Sequence, residues 1–147
     1  MNWIFYLLAA AAGAANPAQA GANAELKKVL QDALPATMFV YLSGLIGVVV
    51  IWLLVRQPIP GSDKLATVPW WAWMGGLLSI GATLAGAVFA QKMGSGVFTG
   101  ITLTASLTMS VVLDNFGWMG FKEHPANAGR LAGLGLMIAG LWLVAKL

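Results

Sequence analysis

The sequence of 147 residues has few charged residues and no cysteine. Only 9% of the residues are Asp, Glu, Lys or Arg, whereas a soluble domain carries roughly 25%. The absence of cysteine excludes disulfides, thiolate metal sites and cysteine nucleophiles. The 8 basic and 5 acidic residues give a net charge of +3, which is too small for the basic surface of a nucleic-acid-binding protein.

The sequence also lacks the residue patterns of enzymes and of cofactor sites. It has one histidine, His124, and it has no Ser/His/Asp arrangement, phosphate-binding loop or metal-ligand spacing. No long apolar segment carries a carboxylate, Lys, Arg or His near its middle, where such groups mark proton relays and ion pathways. We therefore expect no catalysis, no cofactor and no bound metal.

Hydrophobic residues dominate what is present, at 59% of the chain. Such a chain cannot cover its surface with polar groups, so lipid must solvate that surface. Five apolar segments approach the roughly 20 residues that a membrane-spanning helix needs. They predict a single all-α transmembrane domain, residues 1–147, with spans at residues 3–21, 36–55, 70–90, 96–113 and 131–147. The stretch from Ala24 to Leu34 either extends the first helix or lies flat at the membrane surface, and residues 56–64 predict a loop.

The basic residues divide evenly between the two sides of a five-span chain. One side receives Arg56, Lys64, Lys122 and Arg130, and the other receives Lys27, Lys28, Lys92 and Lys146. Orientation normally follows an excess of Lys and Arg on the cytoplasmic side, and this chain has no such excess. Either the chain still inserts in one orientation, or it inserts in both and pairs with an inverted copy. An inverted pair has the architecture of many transporters, which bind their substrate at the repeat interface.

Three amide side chains mark the end of the first apolar segment. Asn16, Gln19 and Asn23 stand at i, i+3 and i+7, so a continuous helix carries all three on one face. Polar groups at membrane depth are costly unless they face protein or water. The spacing therefore predicts one wall of a polar, substrate-binding cavity.

Hydroxyl side chains form a second polar stripe, on the fourth segment. Thr99, Thr102, Ser106 and Ser110 follow helical spacing and lead to Asp114. Ser and Thr in membranes often bond back to their own helix or join neighbouring helices, which is the alternative for each hydroxyl. Taken whole, the stripe predicts another wall of the substrate-binding cavity. The alternative for Asp114 is a carboxylate at the membrane surface.

Aromatic and small residues predict anchoring and packing positions. Trp70, Trp71 and Trp73 open the third segment, as expected of side chains at the headgroup level. Two Gly-x-x-x-Gly pairs allow close approach of helix backbones, within one chain or between two. These pairs are Gly96 with Gly100 and Gly129 with Gly133.

Several of these motifs occur in an order that resembles a known family. They are Asn16-Pro17 followed by Gln19 and Asn23, then Pro69-Trp70-Trp71-Ala72-Trp73-Met74-Gly75-Gly76, then Leu113-Asp114-Asn115-Phe116-Gly117-Trp118-Met119-Gly120, and finally Arg130-Leu131-Ala132-Gly133. Together they resemble the small five-helix YdcZ-like inner-membrane proteins of the drug/metabolite transporter superfamily. The chain departs from the family pattern at Asn115, where a His is usual, and at Ser106, where a Gln is expected.

The resemblance implies a bacterial inner-membrane transporter subunit equivalent to half of the ten-helix members of that superfamily, whose halves are inverted copies. We therefore expect an antiparallel homodimer in the lipid bilayer, or a heterodimer with a paralogue. It would move a small polar or amphiphilic solute by alternating access. The alternatives are a passive channel or facilitator and a non-transporting membrane subunit of a larger complex. Because the first predicted span, residues 3–21, has no Glu, the proton-coupled cation export of the small multidrug exporters is not implied.

Overall fold

The structure is a computed structural model that describes residues 3–146, and most of these residues are helical. The α-helices are α1 (Trp3–Leu30), α2 (Ala33–Val55), α3 (Ser62–Ala66), α4 (Met74–Met93), α5 (Ser95–Phe116) and α6 (Ala128–Lys146). Two short 3-10 helices, Trp70–Trp73 and Trp118–Gly120, lie between them. The all-α prediction is confirmed.

Within the described residues, four helical segments are long and apolar enough to cross a membrane. They are Ala33–Val55, Trp70–Met93, Ser95–Phe116 and Ala128–Lys146. Helix α1 is longer, at 28 residues, but its second half carries the amides and charged residues noted above. These polar residues lower its hydropathy, so the span count of five stays a prediction.

Helix α1 runs without interruption past the first predicted span. It contains Pro17 and ends at Leu30, so the stretch after Ala24 extends the first helix. The turn into α2 needs only two residues. Gln31 adopts a left-handed conformation with φ 60°, and the side chain of Asp32 caps α2 by accepting a hydrogen bond from the Leu34 N–H at 3.2 Å. This cap explains why α2 begins three residues before the predicted span.

The predicted loop at residues 56–64 is only partly a loop. Arg56 ends α2 in a left-handed conformation, and Pro58 and Pro60 disfavour a helix after it because each lacks the N–H that a helical hydrogen bond needs. The loop prediction is wrong for residues 62–64, which form the first part of α3. A Gly and an Asp suggested irregular backbone there, but Gly61 is placed as the N-cap and Asp63 in the first helical turn, where both residues are favourable.

The described chain forms two compact units. One contains the residues up to Ala18 and those from Ala90 onward, and the other is Gln19–Phe89. In the first unit, α5 packs along α6. Buried apolar residues are small or few among those described, namely Ala24, Ala36, Ala87, Ala90 and Val111. Most large apolar side chains of the spans are exposed, so these helix faces are available for lipid or for another protein chain.

Candidate solute-binding surfaces

The packing of α5 on α6 depends on a glycine. A Cβ atom added at Gly100 would lie 2.6 Å from Cδ1 of Leu141, so the absent side chain lets α6 approach. A Cβ atom added at Gly96 or Gly133 would meet open space. One added at Gly129 would lie 3.3 Å from Oδ1 of Asn127. Of the four predicted packing glycines, Gly100 is therefore the one placed against a neighbouring helix.

Two grooves lie along this helix pair, and both are lined by Thr104 and Leu141. The larger has a volume of about 460 Å³ and is otherwise lined by Ile101, Ala105, Thr108, Met109 and Val112. The smaller has a volume of about 210 Å³ and is otherwise lined by Gly96, Gly100, Leu103, Met137, Gly140 and Val144. Each groove is an apolar surface that carries one or two hydroxyl groups.

The threonines in the larger groove are not those of the predicted stripe. Thr104 and Thr108 line the groove, and Thr104 is only 8% exposed. Residues two apart on a helix lie about 160° apart around its axis, so Thr102 and Ser106 point away from Thr104. Thr102, Ser106 and Ser110 are exposed and Thr99 is partly exposed. The substrate-binding role of the four stripe residues stays a prediction. The i, i+4 spacing of Thr104 and Thr108 was the feature of the sequence that could have predicted the hydroxyls of the groove.

Three hydroxyl groups of α5, those of Thr102, Thr104 and Thr108, donate their protons to the helix backbone. Thr104 Oγ1 donates to the Gly100 carbonyl at 2.8 Å, and Thr108 Oγ1 donates to the Thr104 carbonyl at 2.8 Å. Thr102 bonds back in the same way, to the carbonyls of Phe98 at 3.0 Å and Thr99 at 3.1 Å. These hydroxyls therefore present oxygen lone pairs, and not protons, to their surroundings.

Asp114 lies at the end of α5 in an ion pair with Arg130 of α6. The Arg130 Nη2 atom is 2.9 Å from Asp114 Oδ2, and the side chains are 34% and 25% exposed. Arg130 Nη1 also donates to the His124 carbonyl at 2.8 Å, and the His124 N–H donates to the Asp114 carbonyl at 2.8 Å. A carboxylate at a helix C-terminus and a guanidinium at a helix N-terminus each oppose the helix dipole. The ion pair offsets both effects.

The neighbouring motif residues close the connector between the two helices. Asn115 Oδ1 accepts the Ala126 N–H at 2.9 Å, and Asn127 Oδ1 accepts the Arg130 N–H at 2.9 Å. Gly117 ends α5 with φ +61°, and a Cβ there would lie 2.7 Å from Cγ of Glu123. The Asp-Asn-Phe-Gly motif thus has a structural role in this chain, and substrate binding by Asp114 stays a prediction.

The prediction for the amides of α1 required a continuous helix, and α1 is continuous. Because α1 is continuous, Asn16, Gln19 and Asn23 lie on one helix face. Asn16 and Gln19 are exposed, whereas Asn23 is 6% exposed. Pro17 lacks an N–H, so the carbonyl of Gly13 has no helical donor beside this face. The substrate-binding role of the three amides is a prediction that the structure leaves open.

A hydroxyl cluster that the sequence interpretation missed joins α2 to α4. The Tyr41 hydroxyl lies 2.7 Å from Ser79 Oγ and 3.2 Å from Thr83 Oγ1. Tyr41 and Thr83 are half-buried and Ser79 is exposed. Ser79 and Thr83 are four residues apart, which places them on one face of α4. That spacing was available from the sequence, but nothing in the sequence pairs it with Tyr41.

The three tryptophans form a 3-10 turn immediately before α4. Trp70 and Trp73 are 76% and 60% exposed, and Trp71 is half-buried. Exposed indole rings at the end of an apolar helix fit the membrane–water interface. Their anchoring role remains the interpretation made from the sequence.

Long apolar helices with exposed apolar faces and scattered hydroxyl and amide groups define the chain as a multi-pass helical membrane protein. Its family is shown by a family model described as "Putative inner membrane exporter, YdcZ", which matches residues 4–143. The chain belongs to this family, and the resemblance inferred from its motifs is confirmed. It is an inner-membrane protein, and its family points to a transporter rather than to an enzyme. Neither a curated protein nor a solved structure matches the chain.

Proposed function

We propose that this chain is a transporter subunit that exports a small polar or amphiphilic solute by alternating access. Its membership of an inner membrane exporter family carries the proposal. The polar groups within the apolar spans support it, because a helix that only anchors a protein in lipid needs none of them. The hydroxyls of Tyr41, Ser79 and Thr83 are such groups, as are those of Thr104 and Thr108.

The working unit in this proposal is an antiparallel dimer of two identical chains. The even division of Lys and Arg supports it, because neither orientation is favoured over the other. The exposed apolar faces of the spans also support it, because a second copy would cover part of them. In a pair of this kind, the amides of α1 and the hydroxyls of α5 would appear twice around one axis.

Flux through reconstituted vesicles tests the proposed activity. The purified chain would be incorporated into liposomes, and the uptake of hexylammonium, hexanesulfonate and sorbitol would be compared with that of protein-free liposomes. We expect saturable uptake of at least one probe, and accelerated exchange when the same unlabelled probe is present on the opposite side. Alternating access produces such exchange, whereas a passive channel shows flux without saturation or acceleration.

A triple variant tests the amide face of α1. Replacing Asn16, Gln19 and Asn23 with Leu removes the hydrogen-bonding groups and keeps an apolar helix of similar volume. We expect uptake to fall at least about tenfold, because each lost polar contact costs about 0.5–1.5 kcal/mol. Uptake equal to the wild type would remove the amides from the site. The absence of uptake for every probe in the wild type would overturn the transporter proposal itself.

A further inference from the structure

The hydroxyl cluster of Tyr41, Ser79 and Thr83 lies deep within two membrane-spanning helices. Tyr41 is eight residues after the start of α2, which is about 12 Å along the helix at 1.5 Å per residue. Ser79 and Thr83 are the tenth and fourteenth residues of the 24-residue span Trp70–Met93. Three hydroxyls at this depth are unfavourable against lipid, so they face protein, water or a solute.

One assignment of the three hydroxyl protons satisfies every hydrogen bond of the cluster at once. Ser79 Oγ donates its only proton to the Gly76 carbonyl at 2.8 Å. In this assignment the Tyr41 hydroxyl is the donor in its contact of 2.7 Å with Ser79. Because the Tyr41 proton is then used, Thr83 is the donor in the contact of 3.2 Å with Tyr41. The protons run in one direction, from Thr83 through Tyr41 and Ser79 to the backbone.

This arrangement leaves the cluster with acceptors only. Each hydroxyl has one proton and two lone pairs, and all three protons are used. Unused lone pairs remain on all three oxygens, two on Thr83 and one each on Tyr41 and Ser79, and the electron-rich ring of Tyr41 lies beside them. Neither α2 nor residues 70–90 carry a charged side chain, so no fixed positive charge competes for these oxygens.

We propose that the hydroxyl cluster is a solute-binding site selective for a protonated amine, whose N–H groups donate hydrogen bonds to the free lone pairs. This inference rests on the proposed transport function and adds the chemical class of the solute. An anion would meet only lone pairs and be repelled. A quaternary ammonium has the charge of the amine but no N–H group to donate. The grooved face of α5 has the same polarity, because Thr104 and Thr108 also present only lone pairs.

Matched probes separate hydrogen bonding from charge. Binding of hexylammonium, hexyltrimethylammonium and hexanoate would be measured by calorimetry on the full chain in lipid nanodiscs, with empty nanodiscs subtracted. We expect hexylammonium to bind about tenfold or more tightly than hexyltrimethylammonium, the ratio given by about one charge-assisted hydrogen bond. We expect hexanoate not to bind above the empty nanodiscs. Equal affinity for the two cations, or no binding of hexylammonium, would overturn the proposal.

Two single-atom variants locate the site. Tyr41→Phe and Ser79→Ala each remove one oxygen, and Ser79→Ala also frees the Tyr41 proton to point outward as a donor. We expect both to weaken hexylammonium binding about tenfold. The control is Ser43→Ala, because Ser43 is exposed on α2 and donates only to the Val40 carbonyl at 2.8 Å. The control should bind like the wild type.

The outcomes also separate this inference from the transport proposal. If both cluster variants bind hexylammonium as the control does, the site assignment is wrong. If vesicles transport hexanesulfonate or sorbitol and not hexylammonium, the chain is a transporter and the inferred solute class is wrong. If no probe is transported, the transport proposal fails, and selective hexylammonium binding would still support the acceptor-only site.

Discussion

Breaking the ion pair between Asp114 and Arg130 should weaken the fold by an amount that a double-mutant cycle can isolate. At 2.9 Å and an effective dielectric constant of about 20, the Coulomb attraction is about 6 kcal/mol, and desolvation offsets most of it. Exposed pairs retain about 0–1 kcal/mol, and a hydrogen bond to a charged group retains about 1.5–3 kcal/mol. Because the Arg130 side chain is 34% exposed and the Asp114 side chain 25% exposed, we expect a coupling energy of about 1–2 kcal/mol.

The cycle compares the wild type with Asp114→Asn, Arg130→Gln and the double variant. The free energy of unfolding would be measured in mixed detergent by far-ultraviolet circular dichroism. The chain also offers a matched control in Glu25 and Lys28, which lie 3.4 Å apart with side chains 59% and 69% exposed. Their cycle with Gln substitutions should give a coupling of at most about 0.5 kcal/mol.

A coupling for Asp114 and Arg130 no larger than that of the control pair would refute this reasoning. The cycle also bears on the substrate-binding prediction for Asp114. Suppose that the two single variants are equally destabilised, but that Asp114→Asn transports less and Arg130→Gln transports normally. Asp114 then acts on the solute as well as on Arg130. Equal losses of transport in both variants would indicate a role through the connector alone.

The glycines give two further predictions with internal controls. Gly100→Ala should destabilise the chain by about 1–2 kcal/mol relative to Gly96→Ala, because only the first alanine meets a side chain of α6, and thermal unfolding in detergent would show the difference. Similar stability of the two variants would place the close contact elsewhere. Gly117→Ala and Gly120→Ala each place a Cβ atom on a left-handed residue, which costs about 1–2 kcal/mol. Only the Cβ atom at Gly117 would also meet a side chain, that of Glu123, so Gly117→Ala should be the less stable variant. The reverse order would contradict the described connector.

The apolar segments and the polar residues between them predicted most of the helices of the fold. The apolar segments located the four spans to within a few residues, because helix is the backbone conformation that satisfies its own hydrogen bonds in lipid. The errors lie at the ends, where local capping decides. Asp32 begins α2 early, and Gly117 lets α5 continue to Phe116. No span pattern predicted α3, a short helix whose side chains are all exposed or nearly so.

The polar sites were harder to predict because they depend on contacts between helices. The spacing of Asn16, Gln19 and Asn23 describes a single helix and could be read directly. The partners of Tyr41 and of Asp114 lie 38 and 16 residues further along the chain, and no local period relates them. The hydroxyl stripe on the fourth span was predicted from helical spacing alone. Packing against α6 decides which face of α5 lines the grooves, and that face contains Thr104.

The claim that one chain supplies both halves of an inverted transporter is tested most directly by labelling one connector from one side of the membrane. Because the chain has no cysteine, Ser62→Cys introduces a single thiol into an exposed position between α2 and the following span. Spheroplasts would be treated with a membrane-impermeant maleimide, and the labelled fraction compared with that after permeabilisation. The account predicts that about half of the chains are labelled from outside and the rest only after permeabilisation. Labelling of all chains, or of none, before permeabilisation would contradict it.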